Sequence, residues 1–233
     1  MRLETDGVYI LTGGGGDIAG AVARVFREAG ARLALADVVA ERVRERADAL
    51  GALPLVADLT SLDEAHRMVA ETVTAYGRVD GLIHTAGGFA MAPAHEAGMD
   101  LYDRMFDLNV RTLVCAVRAV LPALLERDDG FVAGISSSAV WRGGTAGMAL
   151  YAAAKGAVAL YLRSLEKELR ATGIRVAIVY PMSAVDTPAN RRDMPEADPR
   201  AWVDPVEIGH ALLFAATRDR RGRLLELPIA TSG

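Results

Sequence analysis

Val8-Tyr-Ile-Leu-Thr12, the glycines Gly13 to Gly16 and then Asp17-Ile18-Ala19 form the stretch that decides the fold of this chain. The five residues ending at Thr12 are a short apolar run of the kind found in buried parallel strands. A helical pattern follows from Asp17 to residue 29. A glycine-rich turn between a first strand and a first helix lets the backbone approach a pyrophosphate, which the helix N-terminus then stabilises. Gly14-x-Gly16-x-x-Ala19 fits the looser form of that fingerprint, with alanine last. By itself it also fits a turn that holds no ligand. The next strand, Leu33-Ala-Leu-Ala-Asp37, ends on a carboxylate 18 residues beyond Ala19. A carboxylate there accepts hydrogen bonds from the adenosine ribose hydroxyls and repels a 2′-phosphate. Val38, not arginine, comes next. The expected cofactor is NAD(H), preferred over NADP(H).

Strands and helices alternate outward from this unit. Runs at 53–57, 80–85, 130–136, 174–180 and 223–229 read as further strands. Helical patterns cover 39–50, 61–76, 107–125, 150–171 and 205–217, the one at 61 opening on the capping box Ser61-Leu-Asp-Glu64. Residues 186–202 are polar and contain proline, and read as a mobile loop with at most short helices. Repeated strand–helix units imply a parallel sheet covered on both faces. With 233 residues and no repeat or linker, the chain is expected to be one doubly wound Rossmann-type α/β domain, 1–233. Its sheet would be mainly parallel with about seven strands. Residues 1–130 would form the cofactor half, and 131–233 the catalytic and substrate half.

A hydrophobic fraction of 52% and a net charge of -4 fit a soluble globular protein and argue against a nucleic-acid partner. No apolar run reaches membrane-spanning length and no signal peptide leads the chain, so no membrane partner and a cytoplasmic location are expected. The single cysteine, Cys115, excludes an internal disulfide and lies in an apolar helical pattern, which points to core. His66, His84, His95 and His210 lack metal-ligand spacing, so no metal is expected. Glutamine is absent, asparagine occurs only at Asn109 and Asn190, and lysine only at Lys155 and Lys167. A thermophile or a GC-rich genome would produce the same bias. Residue types so avoided elsewhere single out these four positions.

The chemistry concentrates at 136–155. Ser136-Ser137-Ser138 follows the fifth strand, and after a glycine-rich loop Tyr151-Ala-Ala-Ala-Lys155 opens a helix. A spacing of four puts phenol and ammonium on one helical face, where the cation would lower a phenol pKa of about 10. A hydroxyl beside the pair would complete a proton-transfer site. A chance tyrosine and lysine on an exposed helix is the competing reading.

Together these motifs resemble the short-chain dehydrogenase/reductase family over the whole chain. Thr12-Gly13-x-x-x-Asp17-Ile18-Ala19 is similar to its Thr-Gly-x-x-x-Gly-x-Gly turn with two glycines replaced, and Gly15 and Gly16 lie inside it. Asp58-Leu59 resembles the pair that contacts adenine, and His84-Thr85-Ala86-Gly87 stands where the family has Asn-Asn-Ala-Gly. Asn109 falls at the catalytic asparagine, Pro181-Met182 at the Pro-Gly after strand six, and Thr187 at the threonine near the nicotinamide amide.

The resemblance implies hydride transfer between NAD(H) and a small carbonyl or secondary alcohol, with Tyr151 as general acid/base. Lys155 would lower its pKa and hold the nicotinamide ribose, and Asn109 would anchor a water leading from Lys155 to solvent. A serine would orient the substrate carbonyl. Alignment from strand five selects Ser137; counting thirteen residues back from Tyr151 selects Ser138. A homodimer or homotetramer is implied, joined through helices at about 101–125 and 150–171.

Asp186-Thr-Pro-Ala-Asn190-Arg-Arg and Ala86-Gly87-Gly88-Phe89 are also similar to a subgroup that includes quinonoid dihydropteridine reductase, which lacks the serine after strand five. Pterin reduction is therefore one alternative, and a non-catalytic dinucleotide sensor another. Phe89, Trp141, Met148 and Met182 are candidate substrate contacts, with Trp202 nearby. Side chains of these types are as often core as contact.

Overall fold

The computed structural model describes residues 6–231. Its strands are β1 (Val8–Thr12), β2 (Arg32–Asp37), β3 (Leu53–Val56), β4 (Gly81–His84), β5 (Gly130–Ile135), β6 (Ile174–Pro181) and β7 (Glu226–Ile229). They form one seven-stranded sheet in the order β3-β2-β1-β4-β5-β6-β7, parallel at every pairing. β1 is buried along its whole length, as its apolar run requires in a sheet covered on both faces. Thr12, its last residue, pairs with Ala36 on one side and His84 on the other. The strand order reverses between β1 and β4, which opens a crevice at their C-terminal ends.

Helices α1 (Asp17–Glu28), α2 (Ala40–Leu50) and α9 (Pro205–Ala216) cover one face. There Phe26 meets Tyr9 edge-on at 5.0 Å, over Leu33 and Leu35. Helices α3 (Leu62–Tyr76), α5 (Thr112–Arg127) and α7 (Ala149–Glu168) cover the other, with Val117, Val120, Val158 and Leu162 against the strands. Each fully buried aliphatic or aromatic side chain contributes roughly 1.5–3 kcal/mol.

Two elements differ from expectation. The helix placed at 107–125 begins at Met99: α4 (Met99–Phe106) continues through a π-helical segment, Asp107–Arg111, into α5. Asp100, Asp103, Arg104 and Asp107 had obscured its first half. The joined helix, Met99–Arg127, has 29 residues and a stretch of mean hydropathy 1.6, so by length and composition it could cross a membrane, contrary to the sequence reading. Its inner face, with Leu113, Ala116, Val120 and Leu124, is buried against the sheet. The segment at 186–202 carries only short helices, α8 (Pro188–Asp193) and a 3₁₀ turn Pro199–Ala201, and is flanked by a parallel bridge between Val185 and Val203. The last strand starts at Glu226, because Arg223 turns aside to donate to the Thr172 carbonyl.

Candidate active site

Gly13, Asp37, Asp58, Leu59, Ala86 and Gly87 line one cleft of about 170 Å³ at the strand-order reversal. Gly13 is in the left-handed region (φ 65°), and a Cβ there would lie 2.9 Å from the Ala86 backbone. Only glycine lets the two loops close this tightly. Asp37 is held in place: one carboxylate oxygen accepts from Gly15 N (3.0 Å), the other from Val39 N (2.9 Å). Asp58 accepts from the Thr60 amide (2.9 Å) and hydroxyl (2.7 Å), which pull its pKa below the usual carboxylate value. Leu59 is buried beneath it.

Gly15, Gly16 and Asp17 border a second cavity of about 440 Å³. Gly16 caps α1 without a side-chain acceptor, so the first amides of the helix are free to meet an anion. Asp17 replaces a glycine of the family turn and lies 3.6 Å from the Arg46 guanidinium, which offsets its charge. Ile18 is half-buried. Arginine does not follow Asp37 in sequence, yet α2 brings Arg42 back to it. A Cβ at Gly15 would sit 2.7 Å from Arg42 Cβ and 3.3 Å from Asp37 Oδ2. Arg42, Arg46 and Arg192 all line this cavity. A side-chain-free turn, a fixed carboxylate and an open helix end, in two cavities joined by the Gly15–Asp37 bond, fit a dinucleotide.

At the end of β5 the three serines diverge. Ser136 donates to the Lys155 carbonyl (3.0 Å). Ser137 caps α6 (Ser138–Trp141), accepting from Ala139 N (3.2 Å), and its hydroxyl lies beside the Tyr151 phenol. Ser138 is already inside α6. Tyr151 and Lys155 stand one turn apart in α7. The Lys155 ammonium is buried and donates to the Ile135 carbonyl (3.0 Å); desolvation lowers its pKa to about 8. Burial raises the Tyr151 pKa, and the Ser137 hydroxyl opposes that rise. The phenol pKa is thus raised where the Tyr–Lys spacing had suggested a lowering.

Asn109 occupies the middle of the π segment, fully buried. Its side chain clamps Gly88, donating to the carbonyl (3.1 Å) and accepting from the amide (3.2 Å), and also donates to Met105 O (2.9 Å). A Cβ on Gly87 would be 2.6 Å from Asn109 Oδ1 and 3.1 Å from Lys155 Nζ, so Asn109, Lys155 and the 86–88 strap converge. Phe89 packs edge-on against Tyr151 at 4.9 Å. Trp141 instead packs against Tyr180 with the rings tilted (5.0 Å, 60°), and Arg142 donates to the Met182 carbonyl (3.1 Å). Met148 caps α7 and is half-buried, while Trp202 is buried. Pro181 ends β6, and Thr187 caps α8 through Asn190 N (3.2 Å). Cys115 is half-buried with its thiol pKa pushed up by burial.

Sequence reasoning passed over His84. It is buried between Thr12 Oγ1 (2.8 Å from Nδ1) and Thr112 Oγ1 (3.2 Å from Nε2). The threonines at the end of β1 and the start of α5 were the available signal.

The chain is 30% identical over 237 aligned residues to an uncharacterized oxidoreductase of Staphylococcus aureus strain MW2, covering 98% of this chain and 99% of that one. A Staphylococcus saprophyticus oxidoreductase, also uncharacterized, is 29% identical over 217 residues, covering 90% and 91%. Among solved structures, a 7α-hydroxysteroid dehydrogenase complexed with NADH and 7-oxo glycochenodeoxycholic acid superposes with a TM-score of 0.85 at 26% identity, covering 100% of this chain and 95% of that one. An NAD+-bound xylitol dehydrogenase superposes at 0.87 and 23% identity over 100% of both chains, a likeness of fold. The short chain dehydrogenase family model matches residues 7–198, and this chain belongs to that family of oxidoreductases.

Proposed function

We propose that this enzyme transfers hydride between NAD(H) and a small carbonyl or secondary alcohol, with Tyr151 as general acid/base. The observation that carries the reading is the Ser137–Tyr151 hydroxyl pair, one helical turn from a buried lysine. The bound nicotinamide supplies or accepts the hydride. Tyr151 stays protonated at neutral pH because burial raises its pKa, and gives its proton to the forming alkoxide. Ser137 orients the carbonyl oxygen. Lys155, with a pKa of about 8, is charged at pH 7 and close enough to neutrality to pass protons inward. Asn109 fixes the strap beside it. Asp37 favours NAD(H), as does the NADH held by the hydroxysteroid dehydrogenase relative.

Asn190 donates to the Val185 carbonyl (2.8 Å) and Arg191 pairs with Asp186 (2.6 Å). These bonds explain the Asp-Thr-Pro-Ala-Asn-Arg stretch as a means of docking α8, without a pterin. Met99 and Tyr102 on α4 and Leu160 on α7 are exposed, and a homodimer or homotetramer would cover them. The test is NADH oxidation against a carbonyl panel that includes a quinonoid dihydropterin. Turnover with a ketone that Tyr151→Phe removes supports the reading; NADH binding without turnover of any carbonyl supports a sensor.

A further inference from the structure

We infer that His84 is a positioning residue for this site, held as the neutral Nε2–H tautomer at the centre of a one-way hydrogen-bond chain. The chain aligns the 86–88 strap with the π segment that carries Asn109. The inference rests on the functional reading above, but its first test does not.

Counting protons sets the direction. The Thr112 hydroxyl donates to the Leu108 carbonyl (2.8 Å), so at His84 Nε2 (3.2 Å) its oxygen accepts, and Nε2 carries the hydrogen. Nδ1 is then the acceptor, and the Thr12 hydroxyl donates to it (2.8 Å). The oxygen of that hydroxyl in turn accepts from the Ala86 amide (3.3 Å). The order is Ala86 N–H to Thr12 O–H to His84, and His84 N–H to Thr112 O–H to Leu108 O. Every donor has an acceptor in this arrangement and in no other. A proton on Nδ1 would leave the Thr12 hydroxyl hydrogen without its acceptor, a cost of about 1–3 kcal/mol for a buried group. Burial and the Lys155 charge both oppose the imidazolium.

The ends of the chain give it a role. Ala86 opens the strap whose next residue, Gly87, faces Asn109 and Lys155. Leu108 precedes Asn109 in the π segment, and Asn109 grips Gly88. The strap is therefore held from below by the histidine chain and from the side by the asparagine. Two polar clamps fix its distance from Lys155 better than one, since each removes freedom the other leaves.

The first test is ¹⁵N NMR of the wild-type protein, with His84→Asn used for assignment. Nδ1 should resonate as unprotonated and Nε2 as N–H, with no titration between about pH 5 and 8. An Nδ1–H tautomer, or titration near the ordinary value for histidine, would overturn the inference. The second compares His84→Phe with His84→Asn, whose amide also has one donating and one accepting end. Phenylalanine should lower kcat about tenfold or more per folded molecule, raise KM for NADH and alter the pH profile; asparagine should recover most of this. A purely structural role predicts lower Tm in both with kcat and pH profile unchanged, and that result also overturns it. If His84→Phe does not fold, Thr112→Val serves instead: losing the Nε2–H acceptor should mix the tautomers, and an unchanged spectrum refutes the chain. Absence of any carbonyl turnover by the wild type would remove the functional reading and leave the tautomer result intact.

Discussion

The Ser137 hydroxyl lies beside the Tyr151 phenol and opposes the rise that burial gives its pKa, while Ser138, one residue on, is the first residue of α6. Ser137→Ala is expected to lower kcat by about 10²-fold, the scale of losing one oriented donor in an active site. Ser138→Ala should stay within about twofold. Steady-state NADH oxidation by the two variants decides, and a larger loss for Ser138→Ala would reverse the assignment.

Tyr151→Phe keeps the ring that packs on Phe89 and removes the hydroxyl with its proton. The expected loss in kcat is about 10²–10⁴-fold, with NADH affinity within about threefold of wild type. Single-turnover kinetics beside fluorescence titration separate the two quantities.

Asp37 and Arg42 act in opposite directions on a 2′-phosphate, and they converge on Gly15. Asp37→Asn removes the repulsion and leaves the cation, so the NADPH-to-NADH affinity ratio should rise about tenfold or more, equivalent to about 1.4 kcal/mol. Adding Arg42→Ala should cancel most of that gain. An unchanged ratio in Asp37→Asn would show that the carboxylate does not select the cofactor.

Gly87→Ala places a methyl group where the structure leaves 2.6 Å to Asn109 and 3.1 Å to Lys155. Residue 87 is exposed, so circular dichroism and Tm should change little while kcat/KM falls about tenfold or more. Wild-type kinetics in this variant would mean the strap gives way freely.

His84 supplies a pH dependence of stability. Its pKa is lowered to about 3 in the fold against 6.5 for the free side chain, so between these values the unfolded chain binds more protons. The contribution is complete above pH 6.5 and is lost as the pH falls toward 3. Over that interval the Tm of the wild type should drop more steeply than that of His84→Asn. Parallel curves would show that His84 is not buried as a neutral group.

Much of the fold was legible because its signals are local. The run from Val8 to Thr12, the glycines after it and Asp37 each report a strand, a turn or a strand end from a few neighbours. Tyr151 and Lys155 share one helix, so their spacing was enough to pair them. Relations made by the chain's return in three dimensions were not legible. Arg42 comes beside Gly15, as Asp37 does, only because α2 folds back beside the glycine turn, and His84 meets Thr112 only because α5 lies over β4. What separates the two candidate serines is α6, which Ser137 caps and Ser138 begins, a helix too short to announce itself in sequence.

The π segment sets the register of all that follows it. A wide turn holds one more residue than an α turn, so everything after Asp107–Arg111 is rotated by about 100° from where a regular helix would carry it. No single substitution undoes that offset; only a deletion does, and it would swing Leu113, Val117 and Val120 off the sheet together. The bulge is therefore locked in by the core behind it, and with it the position of Asn109.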